Sequence, residues 1–335
     1  MTPQEYNEYH AIERRVEYLS GVAPTPDKEM RDKLDLLIER GGPIAVPYPF
    51  PVKETSDVLF SYPELSKISS VILDGLETLP YRPDITFDRW WTPFEVLLTL
   101  YAKEVLNMKG KIKTADLFRR FAEEVIRPEI SNSKAGELQV KLQEWLSIIP
   151  ITVCRYASVR MLLDRDIKIA SQYEYVKERA KEAIGEDLFT AFEKEYLSEV
   201  GGEKVLSATD HHRAARKLLR VLTDEPLTFK GTPTPGISFE RRIEFILTAI
   251  LYASRCERLH GDYFSPFVSQ KADFSLYPHW YWFCNTVYIL FLILLKRFID
   301  YKGLPNPLSL PAIESYIQEV TRRYREAFLT KAKTE

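Results

Sequence analysis

Apolar residues recur with helical spacing over most of the chain. From Phe94 to Asn107 they return every three or four positions, which predicts a helix with one buried face, entered through Thr92 and Pro93. Runs of alternating apolar and polar residues between turn signals, the pattern of half-buried strands, are scarce. We therefore predict an all-α protein built as a helical bundle.

Segments rich in glycine and proline interrupt the helical pattern. The stretch from Gly41 to Pro51 indicates an extended surface crossing after an N-terminal helical hairpin, and Thr223 to Gly236 forms a second break. Gly201 and Gly202 interrupt the pattern between them. We expect a helical N-terminal region of unknown role at residues 1–200 and a C-terminal helical bundle at residues 205–335.

Two helices of the C-terminal region are predicted in detail. Ser238 is the expected N-cap of a long helix that begins at Phe239 and ends at Gly261. Its expected buried residues are Ile243, Ile246, Leu247, Ile250, Leu251 and Ser254. A last amphipathic helix begins near Pro311. Its apolar stripe is Ile313, Tyr316, Ile317, Val320, Tyr324 and Phe328, opposite Glu314, Glu319, Arg322 and Arg325.

Composition indicates a globular protein of a reducing compartment. The 46 Lys and Arg against 48 Asp and Glu leave a net charge of −2, so no global field recruits nucleic acid. Cys154, Cys256 and Cys284 are far apart and lack metal-ligand spacing, which argues against a disulfide framework and against a zinc site. No apolar signal segment opens the chain, and we expect a cytoplasmic protein without metal or other cofactor.

One apolar run leaves a membrane anchor open as an alternative. Phe274 to Leu295 contains no Asp, Glu, Lys or Arg and is followed by Lys296 and Arg297. Pro278 and His279 interrupt its beginning, which shortens the continuous part. We expect a central helix buried on all sides rather than a membrane span.

Arg255 and His260 form the main candidate for chemistry. On a regular helix, side chains five positions apart point about 140° away from each other. They converge only if the helix ends between them, as Gly261 allows, or across the axis of a dimer. A neutral imidazole moves protons near pH 7, and a guanidinium holds phosphate oxygens. Such a pair supports cleavage of RNA by its own 2′-hydroxyl without a metal ion.

The Arg255-x-x-x-x-His260-Gly261 segment resembles the R-x4-6-H motif of the HEPN superfamily, with residues 237–300 as the core of the resemblance. That resemblance implies a dimerising helical bundle acting as a metal-independent endoribonuclease in antiphage defence or a toxin–antitoxin pair. Cys256 follows the arginine, where active members usually carry a polar residue. Glu257, Arg258 and Tyr263 are candidates to orient the catalytic groups or contact RNA. Alternatives are a catalytically silent module that binds RNA or a protein, and an Arg255 that only pairs with a carboxylate.

A second basic feature lies upstream. Asp210 is a possible N-cap of a helix, and four cations follow it at positions i, i+3, i+4 and i+7, which share one helix face. They are Arg213, Arg216, Lys217 and Arg220. This face is either a track for the phosphate backbone of RNA or an ordinary solvated helix surface.

Overall fold

The computed structural model describes residue 32 and residues 62–162, 170–259, 267, 274–304 and 308–329. The predicted N-terminal hairpin and the crossing from Gly41 to Pro51 lie outside these residues. Helices make up most of the described chain, and the all-α prediction is confirmed.

The helices and strands follow in chain order. The α-helices are α1 (Pro63–Leu76), α2 (Pro83–Glu104), α3 (Thr114–Phe121), α4 (Arg127–Asn132), α5 (Glu137–Leu146), α6 (Ile151–Leu162), α7 (Ala170–Ile184), α8 (Glu186–Tyr196), α9 (Ala208–Thr223), α10 (Phe239–Phe245), α11 (Tyr252–Leu259), α12 (Tyr277–Tyr301) and α13 (Leu310–Tyr324). Wider π-helical turns occupy Ala122–Ile126, Ile246–Leu251 and Arg325–Leu329. Strands in the described residues form two antiparallel hairpins, β1 (Leu197–Val200) with β2 (Glu203–Leu206) and β3 (Leu227–Phe229) with β4 (Thr232–Thr234).

The chain divides into two compact units, the first of which combines Met1–Val96, Ser254–Phe291 and Glu319–Glu335. Its described core is rich in aromatic rings. Trp90 donates its indole N–H to the Ile72 carbonyl at 3.1 Å, and its ring centroid lies 4.8 Å from that of Tyr288. Gly75 makes room for this tryptophan, since a Cβ at Gly75 would lie 2.5 Å from the Trp90 Nε1 atom. α1 and α2 therefore meet at a glycine and a tryptophan.

The second unit combines Leu97–Ala253 and Leu292–Gln318. α6 packs along α9, while α7 packs against α10 and the π-helical turn that follows it. The predicted division near residues 200 to 205 falls inside this unit, where Gly201 (φ 64°) and Gly202 (φ 87°) form the turn between β1 and β2. The predicted break at 223–236 contains the β3–β4 hairpin, with Lys230 (φ 47°) and Gly231 (φ 82°) at its turn.

The prediction that a helix is entered through Thr92 and Pro93 is wrong. α2 begins at Pro83 and carries Pro93 in its interior. The apolar stripe already starts at Phe87 and continues through Trp90, Trp91 and Phe94, all buried at helical spacing. Burial of this long stripe compensates for the hydrogen bond that a proline cannot donate.

The predicted long helix after Ser238 is confirmed at its start and on its buried face. The Ser238 hydroxyl accepts a hydrogen bond from the Arg241 backbone N–H at 3.4 Å. All six residues expected inside are buried. Helical structure runs through α10, the π-helical turn and α11 to Leu259, and the predicted end at Gly261 lies outside the described residues.

Two other helix predictions need correction. Ser207, not Asp210, caps α9, because the Ser207 hydroxyl accepts the Asp210 backbone N–H at 3.1 Å. On α13, Glu314 was expected on the polar face but is buried, and the Ser133 hydroxyl donates to its carboxylate at 2.8 Å. Phe328 is only partly buried. The rest of the predicted apolar stripe of α13 is buried.

The apolar run from Phe274 to Leu295 lies almost entirely in α12. The helical stretch Phe274–Tyr301 is long and apolar enough to cross a membrane, but 89% of its most apolar window is buried within the protein. Core helices of soluble proteins have the same length and composition. Burial on all sides is the arrangement expected from the sequence.

Candidate functional site

Arg255 lies in the middle of α11, in the first unit. Its side chain is 17% exposed, and its Nη2 atom lies 3.7 Å from the Glu95 carboxylate on α2. Glu95 in turn accepts a hydrogen bond from the Trp91 indole N–H at 3.2 Å. This hydrogen bond holds the Glu95 carboxylate against Trp91, one turn earlier on the same helix. The guanidinium of Arg255 is placed by a carboxylate that the sequence analysis did not single out.

His260, Gly261 and Tyr263 lie outside the described residues. The structure thus places the arginine of the predicted pair and not its histidine. The described range 170–259 ends at Leu259, the position immediately before His260. The convergence of Arg255 and His260 stays a prediction.

Arg258, one turn after Arg255, is held in a network of charges. Its Nη2 atom donates to Asp88 at 2.6 Å and to Asp84 at 3.2 Å, and its Nε atom donates to Asp88 at 2.9 Å. The guanidinium carbon lies 4.9 Å from the centre of the Trp280 ring. Asp84, which is 0% exposed, also accepts two hydrogen bonds of 3.0 Å from Arg82. These contacts fix the Arg258 side chain, and its role in orienting the catalytic groups or contacting RNA stays a prediction.

Burial and charge act in opposite directions in this network. Burial alone would lower the pKa of Arg258, but the hydrogen bonds and charges of Asp88 and Asp84 raise it above its ordinary value. For Asp88, burial raises the pKa, with a smaller contribution from the charge of Asp84, and this outweighs the lowering by Arg258 and Arg255. The two carboxylates therefore outweigh burial and keep Arg258 a cation.

Cys256 and Glu257 complete the described part of the motif. Cys256 is partly exposed, whereas Glu257 is buried. The ion pair of Arg255 is with Glu95 on α2. Arg255 and Cys256 are thus both partly accessible.

The residues that the sequence analysis missed are Asp84, Asp88 and Glu95. A signal for two of them existed, because Asp84 and Asp88 are four positions apart and so share one face of α2. Their partner lies more than 150 residues away, as the separations of 170 and 174 positions from Arg258 show. Spacing along the chain carries no information about such a pairing.

The predicted basic face is present on α9, in the second unit. Arg213, Arg216 and Arg220 are exposed, and Lys217 is partly buried. Acids neutralise most of it: Arg213 lies 3.0 Å from Asp210, Lys217 lies 3.5 Å from Glu195 and Arg220 lies 3.6 Å from Glu225. Among the described residues, Arg216 has no ion-pair partner.

Within the described residues, no group of three or more His, Cys, Asp or Glu side chains is arranged to hold a metal ion. Comparison with models of protein families finds no match for this chain, and neither curated proteins nor solved structures match it.

Proposed function

We propose that the protein is a metal-independent endoribonuclease of the HEPN type, with Arg255 and His260 as its catalytic residues. The observation that carries the proposal is the position of Arg255. It lies on a regular helix five residues before His260, is partly accessible, and has a counter-ion 3.7 Å away that leaves room for exchange. This partly exposed pair lacks the short hydrogen bonds of a tight ion pair, so a phosphate, which fits the planar guanidinium, can replace Glu95.

The chemistry assigns one task to each residue. Neutral His260 accepts the proton of the ribose 2′-hydroxyl, whose oxygen then attacks the neighbouring phosphorus. The bond from phosphorus to the 5′-oxygen breaks, and this oxygen takes a proton from the imidazolium ion. The products are a 2′,3′-cyclic phosphate and a 5′-hydroxyl. Arg255 donates to the non-bridging phosphate oxygens as negative charge develops on them.

Product analysis tests this proposal. Labelled single-stranded and structured RNA are incubated with the protein in EDTA, beside the same RNA with 2′-deoxyribose throughout. The proposal predicts fragments with cyclic-phosphate ends from RNA, none from the deoxy substrate, and loss of cleavage with His260→Ala. Cleavage of the deoxy substrate, or activity unchanged in His260→Ala, contradicts it.

A second candidate is a catalytically silent module of the same type that binds RNA or a protein. Cys256 favours it, because a thiol is a weak hydrogen-bond donor at a position next to the catalytic arginine where active members carry a stronger polar group. The same assay separates the two candidates. RNA binding with no cleavage by wild type under any activating condition supports the silent module.

The setting of the proposed enzyme follows from the family resemblance. We propose a cytoplasmic homodimer that acts on RNA in antiphage defence or beside an antitoxin or other regulatory protein. Light scattering coupled to size-exclusion chromatography measures the oligomeric state directly, and a monomer at micromolar concentration contradicts the dimer.

A further inference from the structure

A surface cleft of about 390 Å³ lies beside the basic face of α9, in the second unit. The four cations of that face line it, together with two acids, Glu195 and Glu225. Cations therefore outnumber acids two to one in a protein whose net charge is −2. The cleft is a local positive region on a chain without a global positive field.

Lys217 and Glu195 are structural parts of this cleft. Lys217 is 14% exposed, donates to the Thr228 carbonyl and lies 4.7 Å from the centre of the Phe229 ring. Burial alone would raise the pKa of Glu195, but hydrogen bonds from the Tyr196 hydroxyl and the Lys230 backbone N–H, with the charge of Lys217, lower it below its ordinary value. Lys217 and Glu195 are thus paired with each other and held by the surrounding chain. The three arginines of the cleft are the cations available to contact a ligand.

The arginines are accessible and weakly engaged. Arg213 is 60% exposed beside Asp210, and Arg220 is 54% exposed beside Glu225. Exposed pairs of this kind are worth about 0–1 kcal/mol and are screened by salt. Arg216, between them, is exposed and has no ion-pair partner among the described residues. The cleft thus offers one uncommitted guanidinium and two that exchange partners at little cost.

The arrangement selects the chemical class of the ligand. Arg213, Arg216 and Arg220 follow one helix face, and at about 1.5 Å per residue the outer two are separated by about 10 Å along the axis. A row of guanidinium groups matches a chain of repeated anions, and each planar fork fits a phosphate. Tyr196, the aromatic residue that lines the cleft, is 3% exposed and does not offer its ring for stacking on a base.

We propose that the arginine face of α9 binds the phosphodiester backbone of single-stranded RNA without reading its sequence. The inference rests on the proposed function, because it assigns this face to the RNA on which the nuclease acts. Arg216 makes the primary phosphate contact, and Arg213 and Arg220 add contacts on either side.

The test is a salt titration of binding. Full-length His260→Ala protein, which leaves RNA uncut under the proposed mechanism, is mixed with a labelled oligouridylate at increasing salt. Three phosphate contacts predict a slope of log affinity against log salt of about −2. Arg216→Gln weakens binding several-fold and reduces the slope by about 0.7. The matched control is Arg120→Gln on α3, an exposed arginine outside the cleft that pairs with Glu124 at 3.2 Å.

A second variant acts in the opposite direction. Glu225→Gln removes the charge that competes for Arg220 and keeps an oxygen that accepts the Thr223 hydroxyl, which donates to Glu225 at 3.1 Å. The proposal predicts tighter RNA binding and a slope steeper by up to about 0.7. Its control is Glu124→Gln, which releases Arg120 instead and leaves binding unchanged.

The outcomes separate this inference from the nuclease. Equal affinities and slopes for Arg216→Gln and Arg120→Gln overturn it, as does an oligoglutamate peptide that displaces RNA at equal concentration, since the face then fits an acidic protein. If wild type cleaves RNA while Arg216→Gln binds normally, the arginine face fails and the nuclease stands. If binding depends on Arg216 and wild type never cleaves, the nuclease fails and the RNA face stands.

Discussion

Arg255 and Arg258 lie one helical turn apart on α11, yet their surroundings differ. Arg258 donates four hydrogen bonds of 3.2 Å or less to Asp84 and Asp88, whereas Arg255 is 3.7 Å from one partly exposed carboxylate. A buried cation shared by two carboxylates is a fixed structural element. A loosely paired, partly accessible cation is available to a phosphate.

Arg258→Gln is expected to destabilise the protein strongly. The change removes the cation of Arg258 from buried Asp84 and from Asp88, which costs about 3 kcal/mol of unfolding free energy. Urea unfolding measures the effect. Arg255→Gln is the matched control, since loss of its long pair with Glu95 costs less than about 1 kcal/mol. Equal losses in the two variants would contradict the different roles assigned to these arginines.

Sequence reasoning selected α11 and could not distinguish its two arginines. Both are cations near the end of one helix, and composition and spacing treat them alike. The difference arises from Asp84 and Asp88, which tertiary packing brings to Arg258 from another part of the chain. Long-range electrostatic pairing of this kind has no periodic signal.

Helix positions were predicted more accurately from buried stripes than from single turn residues. Ser238 and the buried face that follows it agree with the structure, because apolar spacing and a capping hydroxyl point to the same helix. Pro93 was assigned to a helix start by its residue type alone, and it lies inside α2. Residue type alone likewise favours Asp210 as a cap, although Ser207, three positions earlier, caps α9. Packing overrides these local preferences.

The contact between α1 and α2 provides a test at the scale of elements. Gly75→Ala places a methyl group 2.5 Å from the Trp90 Nε1 atom, so the indole must move and its hydrogen bond to Ile72 is broken. The expected cost is about 1–3 kcal/mol in urea unfolding, with a change in tryptophan fluorescence. Ser70→Ala, an exposed substitution on the same helix, should change stability by less than about 0.5 kcal/mol. A Gly75→Ala protein as stable as wild type would show that α1 and α2 do not meet as described.

At the scale of the whole molecule, the burial of the apolar helix α12 distinguishes a core helix from a membrane anchor. Its most apolar window is 89% buried, so its apolar side chains pack within the protein. A helix that faces lipid instead exposes those side chains. Pro278 and His279 interrupt the start of the apolar run, which is why the sequence favours a buried helix over a membrane span. In the structure α12 is buried by packing within the protein.

We expect the expressed protein to remain in the supernatant after ultracentrifugation without detergent and to elute as a single species. Residence in the membrane fraction, released only by detergent, would contradict the burial of α12. A Leu→Asp substitution in its middle, at Leu290, is expected to abolish soluble expression, because that side chain is 1% exposed and a buried charge without a partner is costly.

The proposed nuclease function depends on the chemistry of Arg255. The most direct measurement is the single-turnover rate of RNA cleavage in EDTA for wild type and Arg255→Gln, at a temperature where both proteins are fully folded. We predict cleavage by wild type and a loss of at least about a hundredfold in the variant, since Arg255 contacts the phosphate as its charge develops. Equal rates in the two proteins, or no cleavage by wild type under any condition, would contradict the account.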